Sequence, residues 1–95
     1  MSTYANIQIE GREFHIISGG GDWETIRDCV RDYVAEIKGK VKPEYLITAV
    51  LDAITAEAAT DYYAAFNLGY IDFPSYRWEM EIGPRGGVKI KRRRD

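Results

Sequence analysis

Residues Pro43–Leu68, PEYLITAVLDAITAEAATDYYAAFNL, contain no glycine, and no proline after the first position. No other stretch of the chain restricts its fold as strongly. Its frequent alanine and leucine favour helix. Pro43 suits a first helical turn, where a missing N–H costs nothing. Gly69, just beyond, suits a left-handed C-terminal cap. The spacing therefore predicts helix over 43–68. At about 1.5 Å per residue such a helix spans about 39 Å, while a compact domain of this size is about 30 Å across. The helix is expected to bend or break between Thr55 and Thr60, or to have its end covered in an oligomer.

A helical wheel separates two faces of this stretch. Ile47, Val50, Leu51, Ile54, Ala58, Tyr62 and Ala65 form an apolar stripe suited to a core. Roughly opposite lie Tyr45, Ala49, Asp52, Ala56 and Tyr63. Ala49, Ala53, Ala56 and Ala64 leave room for another backbone. The plainer expectation is that the first helix covers this face; the sharper one is that a second protein, or a second copy, does.

The remaining elements follow from local pattern. Tyr4–Ile17 reads as a hairpin about a Glu10-Gly11 turn. That register sets Ala5 opposite Ile16, Ile7 opposite Phe14 and Ile9 opposite Arg12. Asn6 with His15 and Gln8 with Glu13 then make a face in water. Asp22 suits an N-cap, and Trp23, Ile26, Val30, Tyr33, Val34 and Ile37 recur at helical spacing up to Gly39. Tyr70–Ser75 is a loop, since Pro74 forbids a central strand. Tyr76, Trp78, Met80 and Ile82 alternate inward against Arg77, Glu79 and Glu81 outward. Val88 and Ile90 follow the Gly83–Gly87 turn in the same way, with Lys89 and Lys91 facing those glutamates. Arg92–Asp95 reads as a frayed basic tail. The order β-β-α-α-β-β implies one two-layer α+β domain over 1–95: a four-stranded antiparallel sheet with two helices packed on one face.

Composition limits the chemistry. MSTYANIQIE has neither a basic n-region nor an apolar h-region, so no signal peptide is expected, and no apolar run reaches the ~18 residues of a membrane span. A single cysteine, Cys29, favours a reducing, cytoplasmic setting. Cys29 and His15 are the only nucleophile–base pair on offer, and the hairpin puts His15 on the sheet face away from the helices, so no catalytic residue is assigned. One histidine and one cysteine make no ordinary zinc site, and no calcium loop is present. Ser18–Asp22 is glycine-rich before a helix but lacks the P-loop and dinucleotide spacings. No metal or cofactor is expected, and the chain is not expected to be an enzyme.

Charge is unevenly placed. Residues 83–95 carry a net +5, from Arg85, Lys89, Lys91, Arg92, Arg93 and Arg94 against Asp95, so residues 1–82 carry −7 of the total −2. Pro43–Tyr76 has no lysine or arginine. Tyrosine is enriched at protein interfaces. Tyr45, Asp52, Glu57, Asp61 and Tyr63 are therefore candidates for contact with a basic surface on a larger protein. Such a surface is often a nucleic-acid channel, and small phage-encoded inhibitors such as anti-CRISPR proteins act in this manner, an analogy of size and charge only. The alternative is nucleic-acid binding through Arg85, Lys89, Lys91, Arg92, Arg93 and Arg94. A third expectation is a structural subunit that self-assembles through the alanine face.

Overall fold

Alternation in the first seventeen residues builds the hairpin in the expected register. In the computed structural model, which describes residues 4–17, 23–60 and 66–93, β1 (Tyr4–Ile9) pairs antiparallel with β2 (Arg12–Ile17). Ala5 lies opposite Ile16, Ile7 opposite Phe14 and Gln8 opposite Glu13. Glu10 and Gly11 both have positive φ, 48° and 84°, as a two-residue turn matched to strand twist requires. The strain at Glu10 is offset by bonding: its N–H donates to the Met80 carbonyl (3.1 Å), and its carboxylate accepts the Ile82 N–H (2.8 Å).

The helices are α1 (Trp23–Ile37) and α2 (Leu46–Thr60), the latter preceded by a 3-10 turn at Pro43–Tyr45 with Pro43 in its first turn. Ile26, Val30 and Val34 of α1 and Leu46, Val50, Leu51 and Ile54 of α2 are buried with Ile7, Ile9, Phe14, Met80 and Ile82 in one apolar cluster. Both helices therefore pack on one face of the sheet, α1 towards β5 (Val88–Arg92) and α2 towards β3 (Asn67–Leu68). Trp23, expected in the buried stripe, is 40% exposed and carries the Arg27 guanidinium 4.9 Å above its ring.

Two expectations are corrected. Within the described residues the 43–68 stretch holds a 3-10 turn and then α2 as far as Thr60, and it is not one helix through to Leu68. Asn67–Leu68 is instead a short strand on β2, and Gly69 (φ 84°) turns the chain after that strand rather than capping a helix. The sheet is also five-stranded and mixed, in the order β3-β2-β1-β4-β5, not four-stranded and antiparallel. β4 (Tyr76–Ile82) runs parallel to β1, with Ile7 beside Trp78 and Ile9 beside Met80. Its partner β5 is antiparallel, Glu79 facing Lys91 and Glu81 facing Lys89 as expected. The connection explains the parallel pair. β3 leaves the sheet beside Glu13, and residues 69–75 carry the chain back across the face away from the helices, so that β4 begins at the same end as β1.

The C-terminal residues are less free than a frayed tail. Arg92 is the last residue of β5. The Arg93 N–H donates to the Arg77 carbonyl (2.9 Å), and its guanidinium lies 3.0 Å from Glu13. The expectations for the Ser18–Asp22 loop and cap, for Tyr62, Ala64 and Ala65, and for Arg94 and Asp95 lie outside the described residues.

Candidate protein-binding surface

β1 is the middle strand of the sheet. On the helix side Ala5, Ile7 and Ile9 are fully buried. On the other side Asn6, expected in water, is only 4% exposed. Its amide group is matched to one peptide unit of the returning loop. Nδ2 donates to the Ile71 carbonyl (2.8 Å), and Oδ1 accepts the Ile71 N–H (2.9 Å). A buried amide needs such partners, and the loop backbone needs the same from the sheet. Further bonds fix both ends of the loop. The Gly69 N–H donates to the Glu13 carbonyl (3.2 Å), and the Ser75 N–H to the Tyr4 carbonyl (2.8 Å). His15 Nδ1 lies 3.0 Å from the Gly69 carbonyl oxygen.

This fastened loop holds apolar side chains outward. Tyr70 is 69% exposed and Phe73 95%. Phe73 has φ 57°, a left-handed conformation costing about 1–2 kcal/mol for a residue with a Cβ. Single exposed apolar residues are ordinary. Here an aromatic ring stands in solvent on a strained backbone that several long-range hydrogen bonds keep in place. The sequence places Tyr70 and Phe73 in a loop and Asn6 on a face in water, and singles out none of the three as a site residue. The available signals were an asparagine at the centre of an alternating strand, and an aromatic residue before Pro74 in a stretch with no periodicity.

The candidates from sequence fall into several places. Tyr45 is 57% exposed in the 3-10 turn, and the Asp52 side chain is 67% exposed. α1 leaves this part of the face open, against the plainer expectation, although Ala49 and Ala53 are half-buried. Arg12 from the hairpin reaches this face, 3.5 Å from Asp52, and donates to Thr55 Oγ1 (2.8 Å). An ion pair this exposed contributes little. Glu57 is exposed but turned about 140° around the helix from Asp52, so the two do not share a face. Asp61 and Tyr63 lie outside the described residues.

The basic candidates also divide, because a strand sends alternate side chains to opposite faces. Lys89 and Lys91 are exposed on the face away from the helices, and Arg93 lies half-buried there against Glu13. Arg92 projects on the other face, and Arg85 sits in the β4–β5 turn, its carbonyl accepting from Lys38 Nζ (2.8 Å). Arg94 is outside the described residues.

Cys29 packs on the helix side of the sheet and His15 on the other, so they do not form a pair. Burial raises the Cys29 thiol pKa, and the nearby Asp32 and Asp28 carboxylates raise it further, which opposes thiolate formation. Among the described residues no three His, Cys, Asp or Glu side chains converge as a metal would require, and no helix is long and apolar enough to cross a membrane.

Comparison with protein-family models, with curated proteins and with solved structures finds no match.

Proposed function

We propose that the protein is a non-enzymatic interaction module that works by occupying a surface on a larger protein, with the 69–75 loop as its docking element. The observation that carries this reading is Phe73, 95% exposed on a loop that Asn6 fastens to the sheet. An aromatic anchor with few rotatable bonds gains most from burial in a partner's pocket, and a loop already ordered loses little entropy on binding. The test is site-specific photocrosslinking in the source cell, with Phe73 exchanged for benzoylphenylalanine and, separately, exposed Thr48 on the opposite layer. One discrete adduct from position 73 and none from position 48 is expected. Adducts from position 48 alone would refute the loop as the docking element.

A second reading keeps the open Tyr45 and Asp52 face as an acidic contact with a basic, nucleic-acid-handling protein, in the manner of a small phage-encoded inhibitor. It is favoured by the exposure of both side chains and by the absence of any cation within 43–60. It predicts that Tyr45→Ala with Asp52→Ala abolishes partner binding, whereas Phe73→Ala leaves it intact.

A further inference from the structure

The outer edge of β5 is a second surface with definite chemistry. Among the described residues no strand lies beyond β5. The hydrogen bonds show which backbone groups that edge offers. The Gly83 N–H donates to the Gly87 carbonyl and the Arg93 N–H to the Arg77 carbonyl. In an antiparallel ladder bonded pairs recur at every second residue. Glu81 with Lys89 and Glu79 with Lys91 are therefore also bonded pairs, in the observed register. It follows that Val88, Ile90 and Arg92 turn their N–H and C=O groups away from β4, towards the free edge.

A groove of about 400 Å³ borders the same strand, between the start of α1 and the β4–β5 ribbon. Trp23 and Arg27 line its α1 side, and Val88 and Ile90, together with Glu79, Glu81, Lys89 and Lys91, its sheet side. The partly exposed Trp23 ring offers an apolar wall. By strand alternation the Lys89 and Lys91 side chains leave the sheet on the other face; each has a glutamate on β4 to one side and, among the described residues, no strand to the other.

We infer that the β5 edge accepts an extended segment of another protein in which acidic and apolar residues alternate, added as a sixth strand. Main-chain bonds to Val88, Ile90 and Arg92 supply the affinity that strand addition normally draws on. Apolar side chains of the segment enter the groove against Trp23, Val88 and Ile90. Its carboxylates stand on the other face beside Lys89 and Lys91, completing acid–lysine–acid rows with Glu81 and Glu79. A second copy of the chain is a poor occupant, because β5 against β5 sets lysines and arginines of one copy beside those of the other, and like charges directly opposite destabilise a sheet.

The test uses the full chain, isotopically labelled, and a blocked fluorescent octapeptide of alternating glutamate and valine. Amide exchange is read by NMR with and without peptide. The amides of Val88, Ile90 and Arg92 are expected to exchange fast in the free protein and to be slowed by the peptide. Those of Lys89 and Lys91, bonded to β4, should be slow in both. The matching glutamine–valine peptide should bind about tenfold more weakly, from two acid–lysine contacts. Trp23→Ala, with its fold checked by the unchanged amides of β1 and β2, should also weaken binding. The inference is overturned by no binding at millimolar peptide, by equal binding of the glutamine peptide, or by slowing confined to residues 69–75. It is equally overturned if a labelled oligonucleotide binds more tightly at the same amides, or if the free protein dimerises through them.

Discussion

Replacing Asn6 with alanine removes a side chain that joins the 69–75 loop to the centre of the sheet. Two hydrogen bonds are lost, of 2.8 and 2.9 Å, each worth about 0.5–1.5 kcal/mol net. The Ile71 N–H and C=O then sit half-buried without those partners, and each that water fails to reach adds about 1–3 kcal/mol. With one of the two rehydrated, the expected loss is about 2–6 kcal/mol. A chain of this length has a total stability of about 5–14 kcal/mol, so the urea midpoint should fall by a large fraction. The Ile71 amide should lose exchange protection before the amides of β1 do, because the loop opens first.

Asn6→Asp sharpens the test by adding a sign. Its carboxylate still accepts the Ile71 N–H, but burial and the facing Ile71 carbonyl oppose its charge, raising its folded pKa above the unfolded value of about 3.9. The folded form then holds the proton more tightly, and the protonated carboxyl can donate to that carbonyl as the amide did. The deficit relative to Asn6 is therefore smallest below the unfolded pKa and grows as pH rises through the folded pKa. The reasoning is refuted if Asn6→Ala lies within about 0.5 kcal/mol of the parent with Ile71 exchange unchanged, or if the Asn6→Asp deficit shrinks as pH rises.

Arg93→Ala should cost about 1.5–3 kcal/mol in urea denaturation, since it leaves the half-buried Glu13 carboxylate without its cation; a frayed tail would show no change. Gly86→Ala should destabilise more than Gly11→Ala in thermal melts. Both glycines have positive φ, costing alanine about 1–2 kcal/mol, but a Cβ at Gly86 would meet Val34 Cγ1 at 3.0 Å, whereas one at Gly11 meets nothing within 4 Å. Cys29 should alkylate more slowly than free cysteine at mildly alkaline pH, and Asp32→Asn should speed the reaction slightly. Because burial raises its folded pKa, the stability Cys29 contributes is present below the ordinary thiol pKa and lost as pH rises through the raised value.

Elements governed by local pattern were legible in the sequence. The β1–β2 register follows from alternation and the Glu10-Gly11 turn acting together, and the β4–β5 pairing from alternation on both sides of a glycine turn. The helix faces were legible where both neighbours in the stripe pack, as at Val50 and Ile54. They failed at Trp23, which begins a helix and has the core on one side only. Asn67 and Leu68 continue the composition of the helical stretch, and a two-residue strand carries no period of its own, so long-range pairing with His15 and Phe14 decided their state.

The parallel placement of β4 was not legible, and this hid the candidate site as well. Two hairpins separated by two helices can meet in several orders, and no local preference distinguishes them. The deciding contact is Asn6 with Ile71, residues far apart in the chain. A polar residue on the open face of an alternating strand is as well suited to water as to a loop backbone lying across it, because both satisfy its donor and acceptor. Only the sheet order tells which one is present. Once residues 69–75 are laid over β2 and β1, Asn6 changes from a surface residue to a buried clamp, and Phe73 from an unremarkable loop residue to a ring held in solvent. Among the described residues the same order makes β5 an edge, which turns the alternation of Val88–Arg92 from a description of a hairpin into a set of N–H and C=O groups that face away from β4 beside a groove. Both proposed surfaces are thus consequences of one long-range pairing. Loosening the loop through Asn6→Ala should weaken capture at position 73 and leave the amides of Val88 and Ile90 unaffected, since β5 is held by β4 and by α1, on the far side of β4 from the loop's anchor.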